Sequence, residues 1–185
     1  VMEELQAKVN AATGRSVQLL GEGWNFGEVA NGQRFPQAVQ GGLNGTAIGS
    51  FGDKMRDAVR GGGCCDSGGL LLSNQGYING LFYDDNGSGA GTSKTDLMWA
   101  ADIIKVGLAG SIRDYTLTTH WDASLQLQQL DYNGQPAGYV TSPAEVVNYN
   151  ENHDNQTLFD INAYKLPSTT SKEDRARVQM LGAAI

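Results

Sequence analysis

What is missing from this 185-residue chain narrows its function before any motif is read. It contains no run of about 18 consecutive apolar residues, so no segment has the length to cross a bilayer as a helix. It also lacks a basic stripe: Lys and Arg together number 13 against 20 Asp and Glu, for a net charge of −7. Nothing is therefore present to neutralise a row of phosphates, and no nucleic-acid partner is expected. The sequence starts directly on a helical pattern, so no secretory leader is expected within it. The two cysteines, Cys64 and Cys65, are adjacent. Neighbouring cysteines sit closer together than disulfide geometry prefers, so they are expected as free thiols in a loop. They have no second pair at ligand spacing, which excludes a zinc cluster.

Hydrophobic residues make up 40% and charged residues 18%, the balance of a globular protein with a sizeable core. The 25 glycines point to long, function-bearing loops. Helical spacing places Val1, Leu5, Val9 and Ala12 on one face, and Thr13-Gly14 stops that helix. A short apolar run, Val17 to Leu20, reads as a buried strand, so helix-to-strand alternation predicts a parallel sheet. Thr46 to Phe51 reads as a second short strand, and Asp53 to Val59 as a helix with Met55 and Val59 on one side. The other side, with Arg56, Asp57 and Arg60, reads as a surface ion-pair network. The stretch from Cys64 to Thr92 fits no regular element. Ser93-x-x-Asp96 forms a capping box before a helix with Leu97, Ala101, Ile104 and Leu108 on one face. Residues 112–128 stay ambiguous between strand and loop, and His120 reads as a loop residue. Glu145 to Tyr149 is a strand, Leu158 to Pro167 a helix, and Ser171-x-x-Asp174 caps a last one. Both ends read as cuts from something longer.

The chemistry-bearing residues follow two of these strands. Glu22 stands between two glycines after the first, just ahead of Trp24, and alone it is equally a solvated turn acid. His153 and Asp154 follow the strand at Val146 to Tyr149. A barrel gathers the C-terminal ends of its strands around one pocket, however far apart they lie in sequence. Two carboxylates beside an imidazole suit glycosidic cleavage, in which one acid protonates the leaving oxygen and other carboxylates face an oxocarbenium-like centre. Three Asn-x-Ser/Thr patterns begin at Asn44, Asn86 and Asn155.

Gly21-Glu-Gly-Trp24 with Phe26, Gly49-Ser-Phe-Gly-Asp53 with Arg56-Asp57 and the triple glycine, and Val146-Val-Asn-Tyr149 with His153-Asp-Asn-Gln-Thr-Leu158 together carry a resemblance. They closely resemble the type I pullulanases and limit dextrinases of the α-amylase superfamily. The resemblance implies an α/β fold, part of a (β/α)8 TIM barrel from about its fourth helix to its seventh. Residues 1–185 would then be a fragment of a single catalytic domain, without the upstream strands and the flanking β-domains. It implies a retaining glycoside hydrolase acting on α-1,6 branch linkages of pullulan, limit dextrins or amylopectin. Glu22 would be the general acid/base, and Asp154 the acid that stabilises the transition state. His153, Trp24, Phe26 and Asn155 would bind the sugar. The family's nucleophilic aspartate lies ahead of the helix that opens the chain. Where the family pattern implies Pro-Phe after the glycines, this chain has Cys64-Cys65, so an aromatic near the leaving-group side is replaced. The expected partner is an α-glucan. No cofactor is required, and calcium is possible in a parent protein without being indicated here. The alternative is a relative that keeps the barrel and binds glucan without cutting it.

Overall fold

A computed structural model describes residues 1–89 and 91–185; Ala90, in the unassigned stretch, lies outside the described residues. Its helices are α1 (Met2–Thr13), α2 (Asp53–Arg60), α3 (Gly69–Ser73), α4 (Lys94–Leu108), α5 (Leu158–Lys165) and α6 (Lys172–Ala184). Its strands are β1 (Leu20–Gly21), β2 (Gly49–Gly52), β3 (Thr116–Thr118), β4 (Ser124–Gln126), β5 (Asp131–Tyr132), β6 (Gln135–Pro136) and β7 (Val146–Asn148). The chain divides into two compact units.

The first unit holds residues 1–52, 109–117 and 125–147. Its sheet runs β1-β2-β7, with β1 parallel to β2 in the register Leu20 to Gly49 and Gly21 to Ser50. The parallel pairing agrees with the helix-to-strand reading. The expected buried strand at Val17 to Leu20 does not form. Only Leu20 and Gly21 pair, both are exposed, and Leu20 keeps 54% of its surface in solvent. The physical reason is position, since β1 is an edge strand and edge strands lack a neighbour on one side. Helix α1 forms as predicted and is closed by Gly14 in the left-handed region, φ 64°, yet it buries none of its residues. The unit's core is Ile48, Leu127, Leu130, Ala137, Tyr139 and Val140. Glu145, 2% exposed, ties the lead-in of β7 to residues 45, 141 and 142.

The second unit holds residues 53–108, 118–124 and 148–185. Helices α2 and α4 pack together through Gly107, where a methyl group would stand only 2.5 Å from Met55 Cβ. The buried face of α4 is Leu97, Ala100, Ile103, Ile104 and Gly107, a slight rotation from the predicted stripe, and Leu108 is exposed. The predicted capping box and the predicted cap both form. Ser93 Oγ accepts from Asp96 N at 3.2 Å while Ser93 N donates to Asp96 Oδ2 at 2.6 Å, and Ser171 Oγ caps α6 by accepting from Asp174 N at 3.1 Å. The stretch read as having no regular element contains one short helix, α3, and its buried part, residues 75–79, is held by amides. Gln75 Nε2 donates to the carbonyls of Asn79, Asp84 and Lys165 at 2.6, 3.0 and 3.0 Å, and Asn79 Nδ2 donates to Arg60 O at 2.8 Å. Side chains here do for the backbone what a ladder does in a sheet, so hydrophobic periodicity has nothing to register.

Two expectations are corrected in this unit. Cys64 and Cys65 are bonded to each other as a vicinal disulfide rather than standing as free thiols. They leave α2 through Gly61 and Gly62, both at positive φ, in a stretch with no helical hydrogen bonds to restrain their backbone. Arg56 and Arg60 are not a surface network. They are 3% and 1% exposed, because α2 is covered on its charged side as well as its apolar one.

Candidate active site

In the first unit, Glu22 comes immediately after β1 and is exposed. Gly23, at φ +71°, follows it, and a Cβ there would meet Ser50 Cβ at 2.7 Å. Only glycine lets the chain turn this close to β2, so the glycine positions the acid. The turn is fastened on its far side. Gln40 N donates to Gly23 O at 3.3 Å, and Gln37 Nε2 donates to Trp24 O at 3.0 Å. Trp24 is half-buried, and Phe26 keeps 64% of its surface exposed. Asn25 and Asn31 close the loop by paired amide bonds of 2.9 and 2.7 Å.

In the second unit, His153 and Asp154 occupy a turn between β7 and α5, and both are exposed. Asn155 is half-buried; its Nδ2 donates to Asp154 O at 3.0 Å and to Cys64 O at 3.2 Å. Thr157 caps α5 by accepting from Asp160 N at 3.2 Å, and Glu151 accepts from Leu158 N. Helix α2 supplies the deeper contacts. Arg56 Nη1 donates to Tyr149 Oη at 2.7 Å and to Asn155 Oδ1 at 3.2 Å, while its Nε donates to Asp57 Oδ1 at 2.7 Å. Its guanidinium also lies 5.4 Å from the centre of the Tyr149 ring. Arg60 Nη2 donates to Gln156 Oε1 at 2.9 Å and Nη1 to Gln156 O at 3.3 Å. Burial works most strongly against the Arg56 charge, but Asp57, Tyr149 and Asp53 together more than offset it and raise the pKa. For Arg60, burial and then the charge of Arg56 lower it. Burial likewise raises the Tyr149 phenol.

The structure thus brings Glu22, Trp24 and Phe26 into one loop of the first unit. It brings His153, Asp154 and Asn155 into one turn of the second. Arg56, Arg60, Tyr149 and Gln156 were missed as part of that turn's framework. Arginines four apart on a helix look the same in sequence whether they face water or a neighbouring loop. His120 is a loop residue as read, but Asp102, 0% exposed on α4, holds its Nδ1 at 2.8 Å. The amides of the three Asn-x-Ser/Thr patterns all donate within the fold: Asn44 to Tyr139 O, Asn86 to Leu72 O and Lys165 O, and Asn155 as above. Among the described residues no group of three or more His, Cys, Asp or Glu could hold a metal ion, and no helix is long and apolar enough to cross a membrane.

A mixed helix-and-strand piece whose strands lead into an exposed acid loop and a braced His-Asp turn has clear relatives, and they are pullulanases. The chain matches part of a large pullulanase. It is 40% identical over 176 residues to the pullulanase of Klebsiella aerogenes, covering 91% of this chain and 15% of that protein. It is 38% identical over 185 residues to the chloroplastic pullulanase 1 of Arabidopsis thaliana, covering 98% of this chain and 19% of that one. Among solved structures, the maltotriose complex of PulA from Klebsiella pneumoniae superposes with a TM-score of 0.91 at 37% identity, over 99% of this chain and 19% of that chain. The chain therefore spans less than one fifth of the length of the curated relatives it matches. No family model matches it.

Proposed function

We propose that the 185 residues are a fragment of a single (β/α)8 catalytic domain, about its fourth to seventh helix, in a retaining debranching glycoside hydrolase. The bond cut is the α-1,6 branch linkage of pullulan, limit dextrins or amylopectin, and no cofactor takes part. The observation that carries this reading is the 38% identity over 98% of the chain, a span that includes both the Glu22 loop and the His153–Asp154 turn. The maltotriose-bound relative supports an oligosaccharide as the partner.

Glu22 gives its proton to the departing glucosyl oxygen, a poor leaving group, and later takes one from water. Asp154 acts on the sugar itself, holding its hydroxyls and stabilising the charge that develops on the ring. His153 and Asn155 hold its hydroxyls, and Trp24 and Phe26 offer ring faces to the glucan. The nucleophilic aspartate implied by the resemblance is not among these residues, so the chain by itself is not expected to hydrolyse glucan.

The test uses single-turnover kinetics in the parent protein with two substrates. Glu22→Gln should slow pullulan cleavage by about 10²–10⁴-fold, the usual contribution of positioned acid catalysis. It should largely spare a glucosyl fluoride of suitable length, whose leaving group needs no proton. Asp154→Asn should slow both substrates by similar factors. If Glu22→Gln slows the fluoride as severely as pullulan, Glu22 is not the general acid.

A further inference from the structure

The turn that carries His153 and Asp154 has little of its own to fix it. Both residues are exposed; among the described residues the bonds at Asp154 are its N–H on Asn152 Oδ1 at 3.3 Å and the Asn155 amide on its carbonyl, while Glu151 accepts from Leu158 N across the base of the segment and the Asn155 amide also reaches Cys64 O. A loop held by such contacts samples many conformations unless something deeper pins it. The residues that follow it are pinned. Asn155 and Gln156 are each gripped by a buried arginine of α2, one through Oδ1 and the other through Oε1 and the backbone carbonyl. Arg56 also reaches Tyr149, at the other end of the same segment.

We infer that Arg56, seconded by Arg60, is the positioning residue of this segment: its guanidinium spans Tyr149 and Asn155 and so sets where His153 and Asp154 stand. The inference rests on the proposed role of Asp154. Arginine suits the task because its planar fork serves several acceptors at once, which the single ammonium of lysine does not reproduce. The fork is oriented from behind by Asp57, which receives Nε at 2.7 Å and Nη2 at 2.6 Å. The 3% exposure of Arg56 keeps solvent away from its guanidinium donors. Neither arginine is assigned a contact with the sugar; Arg56 acts through the side chains of Tyr149 and Asn155, and Arg60 through the side chain and carbonyl of Gln156.

The experiment uses the full-length protein that carries this chain, as wild type, Arg56→Lys and Tyr149→Phe, each with and without Asp154→Asn. Displacing a reacting group by about 1 Å can cost on the order of 100-fold. Arg56→Lys is expected to lower kcat on pullulan by about 10–100-fold with KM within about twofold, the pattern of a lost transition-state interaction. It should slow a glucosyl fluoride by the same factor. In the Asp154→Asn background the same change should add less than about threefold, because a group already disabled gains nothing from being well placed. Tyr149→Phe, which leaves the Asn155 bond in place, should show a smaller loss with the same dependence on Asp154, and it decides the matter if Arg56→Lys does not fold. Wild-type kcat in Arg56→Lys, or an equal loss in both backgrounds, overturns the inference. Hydrogen exchange of residues 150–158 is read in parallel, and it should quicken in Arg56→Lys while the α4 amides stay protected. Unchanged exchange there overturns the inference whatever the activity does. If the wild-type protein leaves pullulan intact, the proposed function has failed, and the exchange result alone decides the positioning role.

Discussion

Replacing Gly107 by alanine sets helix propensity directly against packing, and the structure says which wins. Gly107 lies in the last turn of α4 at an ordinary helical φ, so by propensity alone alanine should stabilise by about 1 kcal/mol. Its new methyl group would stand 2.4 Å from Met55 Sδ, 2.5 Å from Met55 Cβ and 2.7 Å from Met55 Cγ. Carbon atoms rest at roughly 3.5–4.0 Å, so all three contacts are far inside repulsion. The sulfur can swing away through the methionine's rotatable bonds. The Cβ cannot, since it is fixed to the backbone of α2, and Met55 is only 6% exposed with nowhere to retreat. The helices must therefore separate by about 1 Å, and because the clash is with a backbone-fixed Cβ the cost falls in the upper part of the usual overpacking range, about 2–3 kcal/mol. Net, Gly107→Ala should destabilise by about 1–2 kcal/mol, or about 2–8 °C in Tm for a domain of this size. Urea denaturation of the protein carrying the chain, with hydrogen exchange at the α4 amides, measures it. Met55→Ala should rescue only in part, since it keeps the offending Cβ, whereas Met55→Gly should make the pair of changes clearly non-additive. A Gly107→Ala protein as stable as wild type would refute the argument, because propensity would then have won at a contact the structure forbids.

Two pH-dependent predictions come from buried charges. The Glu145 carboxylate, which burial alone would push up, is held below its ordinary range by donors from Thr141, Gly45 and Ser142 at 2.5–3.0 Å. A folded pKa below the unfolded one means that its stabilisation is present above about pH 4.5 and is lost as pH falls through the folded value. Glu145→Gln should flatten that acid slope and destabilise by about 2–3 kcal/mol at neutral pH, since an amide turns a donor toward N–H groups that need an acceptor; acid titration of unfolding free energy tests both. Lys165, 1% exposed, has its pKa lowered from 10.5 to about 8, by burial first and then by the charge of Arg60. The unfolded chain therefore binds the extra proton between about pH 8 and 10.5, and stability should rise with pH across that window and be flat below it. Lys54, 6% exposed and likewise lowered by burial to about 8, contributes over the same window, so Lys165→Met should remove only part of the rise and Lys165→Met with Lys54→Met most of it; a slope left unchanged by Lys165→Met would refute its share.

Much of the architecture was legible because it rests on local rules. The glycine that ends α1, the capping box that starts α4, the serine cap that starts α6, and the parallel pairing implied by helix-to-strand alternation all follow from chemistry within a few residues. The candidate site was legible in another way: Glu22 and the His153-Asp-Asn motif sit in a specific order of residues that matches pullulanases along nearly the whole chain. What the sequence by itself determined is therefore the set of elements, their caps and the chemical groups offered at two loops.

Tertiary structure decided which faces are covered. The apolar run before Glu22 became a two-residue exposed strand because its place at the sheet edge left it without a second neighbour. The same logic inverted the reading of α2, whose Arg56 and Arg60 look like surface charges until Tyr149, Asn155 and Gln156, about 95 positions later, close over them. The stretch from Cys64 to Thr92 resisted prediction because the amides of Gln75 and Asn79 hold it together through bonds to distant carbonyls. Hydrophobic period and cap chemistry report only on neighbours along the chain. Burial of a charge or an amide depends on partners that the fold alone brings near.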